Sequence, residues 1–533
     1  MFCANRLTTA EIYDKICDQR NIENPDEFFN PPEEWILDPW ELKNMDKAVK
    51  LTLDHEDDVI GILWDTDADG ITSGTEVTQQ LLAMNYSVKT FINSGKAHGV
   101  LQGDRLDNIL SSGIKLLIIP DSLDSSIDGY KTIHDAGIDI LILDHHDVEI
   151  DYPEDILTLV SSNVDYPNPQ LSGAGVALKF CMALDKTIGE NYSDNLYDLA
   201  AIGILADVSD VYQSKENRAI IHKGLNNLHN PAVKKILGSY EFNAKSVLFS
   251  VAPLVNACVR TNSTNLAMDF FLETENKHLL SMKKQVQAQK EVQDEEKNRL
   301  LDTVRQQLDQ QTELSFGYAI IDTELGVSGL IGNTVLDEYH KPVFILNDTG
   351  EDVFIGSMRS VKYKNFKDIV NSTGLISCKG HMESAGIELP KKNLDEFVKK
   401  LDFILKNTEP DCECSSPAEY DFEIDVSEVD RDLANMLEQI NRITGNGFKS
   451  VAVKVKNITG YEVGSFKDGK HLTLSVQGTN IMVIDWNTKE SFDDWELHAM
   501  CDDPFDVVCE IEHGYFGRNF TIKLIVKEFC WER

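Results

Sequence analysis

The residues of this chain best suited to chemistry are carboxylates that follow apolar runs. "LWDTDADGITSG" (63–74) sets Asp65, Asp67 and Asp69 on alternate positions ahead of Gly70. Clustered carboxylates repel one another unless positive charge sits among them. An acidic loop facing water, a calcium loop of the EF-hand type and a metal-binding strand end are the competing readings. The count alone allows the EF-hand, whose closing glutamate would be Glu76. The flanks oppose it: "VIGILW" reads as a strand buried on both faces and "ITSGTEVTQQLLAM" as a helix. An EF-hand loop lies between two helices.

Three further segments repeat the arrangement. Asp121 follows "LLIIP", Asp144, His145 and His146 close "DILILDHH", and Asp207 ends the apolar segment of "AAIGILADVSD". Each is read as a strand end. One such carboxylate alone is equally well a helix N-cap. Four on successive elements of a parallel sheet converge on its carboxyl edge, where α/β sheets place their sites. Carboxylates with imidazole suit two hard divalent cations, Mn2+ or Mg2+. Such a pair serves phosphoester hydrolysis.

The elements that must carry these groups are legible from patterning. "VIGILW", "SVKTFI", "KLLIIP" and "DILILD" alternate with amphipathic helices, predicting a parallel sheet with crossovers. "ENKHLLSMKKQVQAQKEVQDEEKNRLLDTVRQQLDQQ" lacks Gly and Pro and is densely charged, predicting one long, exposed helix. A second α/β unit runs from "FGYAIID" through "KPVFIL" and "DVFIGSMRS" to "NLDEFVKKLDFIL". After an acidic linker, "HLTLSV", "NIMVIDW", "DVVCEIE" and "FTIKLIV" predict a small β-barrel.

The 533 residues suffice for several cores, with 42% hydrophobic residues and a mean hydropathy of -0.26. No apolar run reaches a membrane span and the N-terminus lacks the apolar core of a signal peptide, so a cytoplasmic protein without membrane contact is expected. The ten cysteines are scattered and read as reduced thiols; Cys412 and Cys414 lack the further ligands of a zinc site. The net charge of -39 opposes general duplex binding, for which a basic protein is expected.

"DTDADG", "PDS", "LDHH" and "ADV", in that order, closely resemble the four motifs of the DHH phosphoesterases. The resemblance extends over nearly the whole chain to RecJ-type single-strand-specific exonucleases. "NPPEEWILDPWELKNMDKAV" is similar to their lead-in, "PLVNACVR" to the signature before the long helix, and "GSMRS" and "GHMESAGIEL" to the DHH-associated domain. It implies an α/β protein: helical lead-in (1–50), parallel-sheet DHH domain (51–215), connector with a long bridging helix (216–312), DHH-associated α/β domain (313–406), linker (407–420) and a C-terminal β-barrel of OB-fold type (421–533).

By the same resemblance, Asp67, Asp69, Asp121, His145 and Asp207 match the ligands of two Mn2+ or Mg2+ ions, with Asp121 bridging. Asp144 and His146 complete the triplet: His146 faces the scissile phosphate and Asp144 orients an imidazole. Asp65 supports rather than ligates. Ser357 and Arg359 match the pair that holds a phosphate, Gly380 and His381 a backbone and imidazole contact to the strand, and Lys96 and His98 a looser substrate loop. Three departures stand out: Leu63 where some relatives have a histidine, Lys379 where a glycine is usual, and Cys258-Val259 where Ala-Gly is common.

The implied activity is metal-dependent, 5′-to-3′ hydrolysis of single-stranded DNA to mononucleotides, in repair, recombination or phage DNA metabolism. The alternatives are a phosphodiesterase acting on short oligonucleotides or cyclic dinucleotides and a non-catalytic replication scaffold. The expected partners are single-stranded DNA and a single-strand-binding protein or helicase, with the chain a monomer in the cytoplasm, or in a host's if phage-encoded. Phe466, Trp486 and Tyr515 are possible base-stacking platforms, although core packing is the role expected of each.

Overall fold

The computed structural model describes residues 8–92, 101–123, 127–147, 152–360, 363, 365–380, 382–409, 418–466, 469–486, 488, 492–501, 503–516 and 519–530. Lys96, His98, His381, Cys412 and Cys414 lie outside these residues. The first sheet joins β1 (Val59–Trp64), β2 (Ser87–Ile92), β3 (Leu116–Pro120), β4 (Asp139–Asp144) and β5 (Thr158–Ser161) in the order β2-β1-β3-β4-β5. All four pairings are parallel. β1, β3 and β4 are buried along nearly their whole length, as their unbroken apolar runs require.

The helix Ala68–Ala83 leaves β1, and Gly173–Ile188 and Tyr197–Ala206 pack against it. Tyr197–Ala206 corrects the sequence reading of Asp207, which ends this helix and not a strand. The segment is apolar on every side because it is buried on every side, so its sequence has no helical stripe to distinguish it from a buried strand.

Asn276–Asp309 is a single helix of 34 residues, and its buried positions Leu279, Val286, Gln293 and Leu300 recur every seven. Leu279 and Val286 belong to the core shared by the first sheet and the C-terminal region; Leu300, Leu301, Val304 and Leu308 belong to a core under the second sheet. That sheet comprises β6 (Gly317–Ile321), β7 (Val343–Asp348), β8 (Val353–Arg359), β9 (Ser377–Gly380) and β10 (Ser384–Pro390), ordered β6-β7-β8-β10-β9. Of its four pairings, β6 with β7 is parallel and the other three are antiparallel.

The C-terminal sheet has seven strands: β11 (Phe422–Asp425), β12 (Val453–Ile458), β13 (Tyr461–Phe466), β14 (His471–Val476), β15 (Ile481–Asp485), β16 (Phe505–Phe516) and β17 (Asn519–Cys530). Their order is β11-β12-β16-β17-β15-β14-β13. The lead-in, the first α/β unit and this C-terminal region meet at Arg218, which is 1% exposed. Its guanidinium donates to the carbonyls of Phe28 at 2.5 Å, Val211 at 3.0 Å and Ile443 at 3.5 Å, and lies 3.6 Å from the Phe28 ring centroid. Arg20 adds a two-pronged pair with Asp421, both hydrogen bonds being 2.9 Å.

Candidate active site

Asp67 caps the helix Ala68–Ala83, its Oδ1 accepting from Gly70 N at 2.9 Å. A capping role and a place at the sheet edge are therefore compatible. Asp69 projects from the first turn toward the N-terminus of Gly173–Ile188, where Ser172 Oγ and the N–H groups of Gly173 and Ala174 donate to it at 2.9, 2.8 and 3.0 Å. Asp121 leaves β3 with φ +59°, a left-handed conformation uncommon for a residue with a Cβ. Its amide donates to the carbonyl of Leu143 at 2.8 Å, fixing the turn to the end of β4. Gly173 and Gly203 admit these side chains: a Cβ on Gly173 would collide with the Asp121 carboxylate and one on Gly203 with that of Asp69.

The carboxylates and imidazoles gather into three overlapping groups, with ligand atoms inside each lying within 4.8 Å of one another. Asp65, Asp67 and Asp121 form one; Asp69, His145 and Asp207 another; Asp121, Asp144, His145 and His146 the third. Asp121 and His145 each belong to two groups, the placement expected of residues shared between two ions. Asp65 also belongs to one, although the family resemblance implies only a supporting role for it; Ser122 Oγ donates to its Oδ1 at 3.4 Å. Leu63 is fully buried in an apolar cluster with Ile119 and Ile142.

The donor set fits hard divalent cations. Asp121 Oδ1 and Asp144 Oδ2 are buried carboxylate oxygens without a hydrogen-bond donor among the described residues. His145 Nε2 lies 3.2 Å from Asp121 Oδ1, but not in hydrogen-bond geometry. Such unpartnered oxygens are unfavourable in a protein interior unless a cation joins them.

Protonation follows from this placement. Burial, reinforced by Asp207, raises the Asp69 pKa to about 7. Burial and Asp69 hold Asp121 well above the usual carboxylate range. Asp144 is held low: burial opposes the shift, but the hydrogen bond from His146 and the charges of His146 and His145 together outweigh it. His146 rises to about 9 against burial, because its Nδ1 lies 2.8 Å from Asp144 Oδ1. The half-exposed His146 ring thus carries its charge at neutral pH, with Nε2 left to face solvent or substrate.

A pH dependence follows. Carboxylates raised from an unfolded value of 3.8 keep protons in the folded chain that the unfolded chain has lost. Their contribution lowers stability as pH rises from about 4 through 7. Asp144, held below its ordinary 3.8, acts oppositely, its contribution being present above pH 3.8 and lost on acidification. His146 acts in the same direction as the raised carboxylates, its contribution being lost as pH rises from about 6.5 through about 9. Calorimetry without divalent ions should show the melting temperature falling between pH 5 and 8. At a fixed concentration, 100 times its Kd at pH 8, Mn2+ should restore about 2.7 kcal/mol there and less at pH 6, where protons compete for the carboxylates.

A second feature is a groove of about 770 Å³ on the second α/β unit. Ser357, Arg359 and Gly380 line it, with Ser328 and Lys379. Ser357 and Ser328 share a hydrogen bond of 3.0 Å between their hydroxyls. Arg359 Nε donates to Asn333 at 2.6 Å and a terminal nitrogen to the carbonyl of Met358 at 2.7 Å. Gly380 has φ +120°, open only to glycine. Sequence reasoning overlooked Arg260, which also lines this groove from the end of the helix Ala252–Arg260. Gln293 of the long helix accepts from it at 3.2 Å, and burial together with Arg359 lowers its pKa to about 10. Its helix also packs against Ala68–Ala83, the element bearing Asp69. The only signal available in the sequence was its place at the end of "PLVNACVR".

The C-terminal aromatics depart from expectation. Trp486 is 47% exposed and Tyr515 70%, so neither is a core residue. Phe466, His471 and Trp486 form one cluster with ring centroids 4.7 to 5.4 Å apart. Strand alternation suggests core packing, but these residues sit at strand ends, where the sheet no longer covers them.

Comparison with known proteins agrees with this geometry. Residues 59–204 match the DHH family, N-terminal domain, and residues 420–528 the RecJ OB domain. A putative SPbeta prophage-derived single-strand DNA-specific exonuclease of Bacillus subtilis is 27% identical over 422 residues, covering 71% of this chain and 72% of the relative. The single-stranded-DNA-specific exonuclease RecJ of the same organism is 26% identical over 398 residues, 70% of this chain and 49% of its own length. RecJ of Thermus thermophilus, crystallised with Mn2+, superimposes with a TM-score of 0.76 at 19% identity, covering 98% of this chain and 76% of that one. The chain thus carries a domain of the DHH family and a RecJ OB domain, and it is similar to single-strand DNA-specific exonucleases over 71% of its length.

Proposed function

We propose that this chain is a metal-dependent exonuclease that hydrolyses single-stranded DNA from its 5′ end and releases mononucleotides. The observation that carries this reading is the pairing of a buried carboxylate and imidazole cluster around Asp121 with a groove lined by Ser357, Arg359 and Arg260. Support also comes from the relatives, two of which are named single-strand-specific DNA exonucleases.

Asp67, Asp69, Asp121, His145 and Asp207 would hold two divalent ions, Mn2+ or Mg2+, with Asp65 close enough to join them. When bound, such ions supply Lewis acidity and ease deprotonation of the attacking water. The chain's own residues do the rest. Asp144 keeps His146 protonated and turned so that Nε2–H donates to a non-bridging oxygen of the scissile phosphate. Arg359 and Arg260 offer planar, paired donors to the phosphate at the strand end, with Ser357 beside them. Gly380 lets backbone approach the strand, and the exposed rings of Trp486 and Tyr515 give bases a face to stack on.

A single-strand-binding protein or helicase would deliver the strand to a body of net charge -39, which repels nucleic acid at long range. The chain acts as a monomer in this reading. Among the described residues no helix is long and apolar enough to cross a membrane.

The test incubates the protein with Mn2+ and 5′- or 3′-labelled single strands, duplexes and dinucleotides. Loss of single strands from the 5′ end supports the reading. Cleavage confined to dinucleotides would replace it with a short-substrate phosphodiesterase, and no cleavage at all with a scaffold.

A further inference from the structure

The floor of the groove is one face of the second sheet. Ser357 on β8 pairs with Gly386 on β10, and Gly386 with Lys379 on β9. Directly paired residues point to the same face, so the three form one row. Arg359 and Ser384 form the row on one side; Ile355, Glu388 and Ser377 form the row on the other. All of these line the groove. The opposite face, with Phe354, Met358, Ala385, Ile387 and Cys378, is core.

Gly386 leaves the middle of its row open. A Cβ placed there would meet only the carbonyl oxygen of Lys379, at 3.8 Å. Two strand spacings, about 9.6 Å, separate the backbone of Lys379 from that of Ser357, and a lysine side chain laid over a glycine covers most of that span. Lys379 is exposed, and among the described residues no carboxylate forms an ion pair with it. Glu388 makes the far row negative, so an anion in the groove is driven toward the Arg359 row.

We infer that Lys379 is a specificity-determining residue: its ammonium reaches across Gly386 to a phosphate held at Ser357 and Arg359, and selects strands that end in a phosphate monoester. This rests on the exonuclease reading above. A terminal monoester carries a charge of about -1.5 to -2 at neutral pH, against -1 for an internal diester. A third cation beside Arg260 and Arg359 therefore favours the end over any internal position. An ammonium with three rotatable donors suits a group that turns about a single ester bond. Hydrolysis of the P–O3′ bond adds water across it, leaving a 3′-hydroxyl on the released nucleotide and a new 5′-phosphate on the strand. Each cut thus regenerates the recognised group.

The experiment compares 5′-phosphorylated and 5′-hydroxyl oligonucleotides of one sequence, by kcat/KM with Mn2+ and by anisotropy without divalent ions. Lys379→Met should lower the phosphate preference in both by about fivefold, the size of a partly exposed ion pair, acting through KM. Lys379→Arg should keep most of the preference. Gly386→Val, which retains the charge and blocks its path, should behave like Lys379→Met. A Lys379→Met protein that keeps the full wild-type preference, or loses both substrates equally, overturns the role of Lys379. Failure of the wild type to cut any single strand overturns the exonuclease reading instead.

Discussion

Replacing Asp121 with alanine should abolish strand hydrolysis, lowering kcat/KM by about 10³-fold or more, the several kcal/mol that a divalent ion contributes to phosphoryl chemistry. Asp121 belongs to two of the three ligand groups, so its loss weakens both ion positions at once. Calorimetric titration with Mn2+ should show heat from both sites falling together. Asp121→Asn separates this from misfolding. It keeps the shape and removes a buried charge that Asp69, Asp67, Asp65 and Asp144 all repel. In the absence of divalent ions it should melt at or above the wild-type temperature at pH 8, while remaining inactive. An Asp121→Asn protein that binds Mn2+ with wild-type stoichiometry would remove Asp121 from the site.

The largest effect on stability should come from Arg218→Met. The methionine fills part of the volume but leaves the carbonyls of Phe28, Val211 and Ile443 without their donor. A buried acceptor left without a partner typically costs about 1–3 kcal/mol, and three are left here. Thermal unfolding should show the loss, and limited proteolysis should show the lead-in and C-terminal region released first. The loop from Asp207 to Ser214 should loosen with them. Val211 N donates to the carbonyl of Asn446 at 3.0 Å, Asp210 bridges Asn446, and Val208 is held at φ +61°, rare for a β-branched residue. Mn2+ affinity should therefore fall in Arg218→Met even though no ligand has changed. Unaltered affinity would show that Asp207 keeps its place without the C-terminal region.

Much of the site was legible because its chemistry is local. Asp65, Asp67 and Asp69 lie within one turn, and Asp121 and Asp144 sit directly after unbroken apolar strands, where pattern and position coincide. Asp207 was found for the right residue and the wrong element, since a helix buried all round has the same apolar signature as a strand. Arg260 was missed because a lone arginine at the end of an apolar helix, followed by the polar run Thr261 to Asn265, reads as an ordinary helix terminus. Its meaning comes from Arg359, which a separate unit brings beside it. Lys379 was visible only as a departure from a family pattern. The register that aligns it with Gly386 and Ser357 depends on two strand pairings that no local segment encodes.

The long helix has a consequence for what is released. At 1.5 Å per residue its 34 residues extend about 51 Å, and its two halves are sealed into different cores. Gln293, midway, holds Arg260. A beam clamped at both ends does not stretch to suit its load. The spacing between the place that grips the end of a strand and the place that cuts it is then a property of the protein, independent of base sequence. Fragment length becomes a measurement made by a ruler, and every fragment should come out the same size.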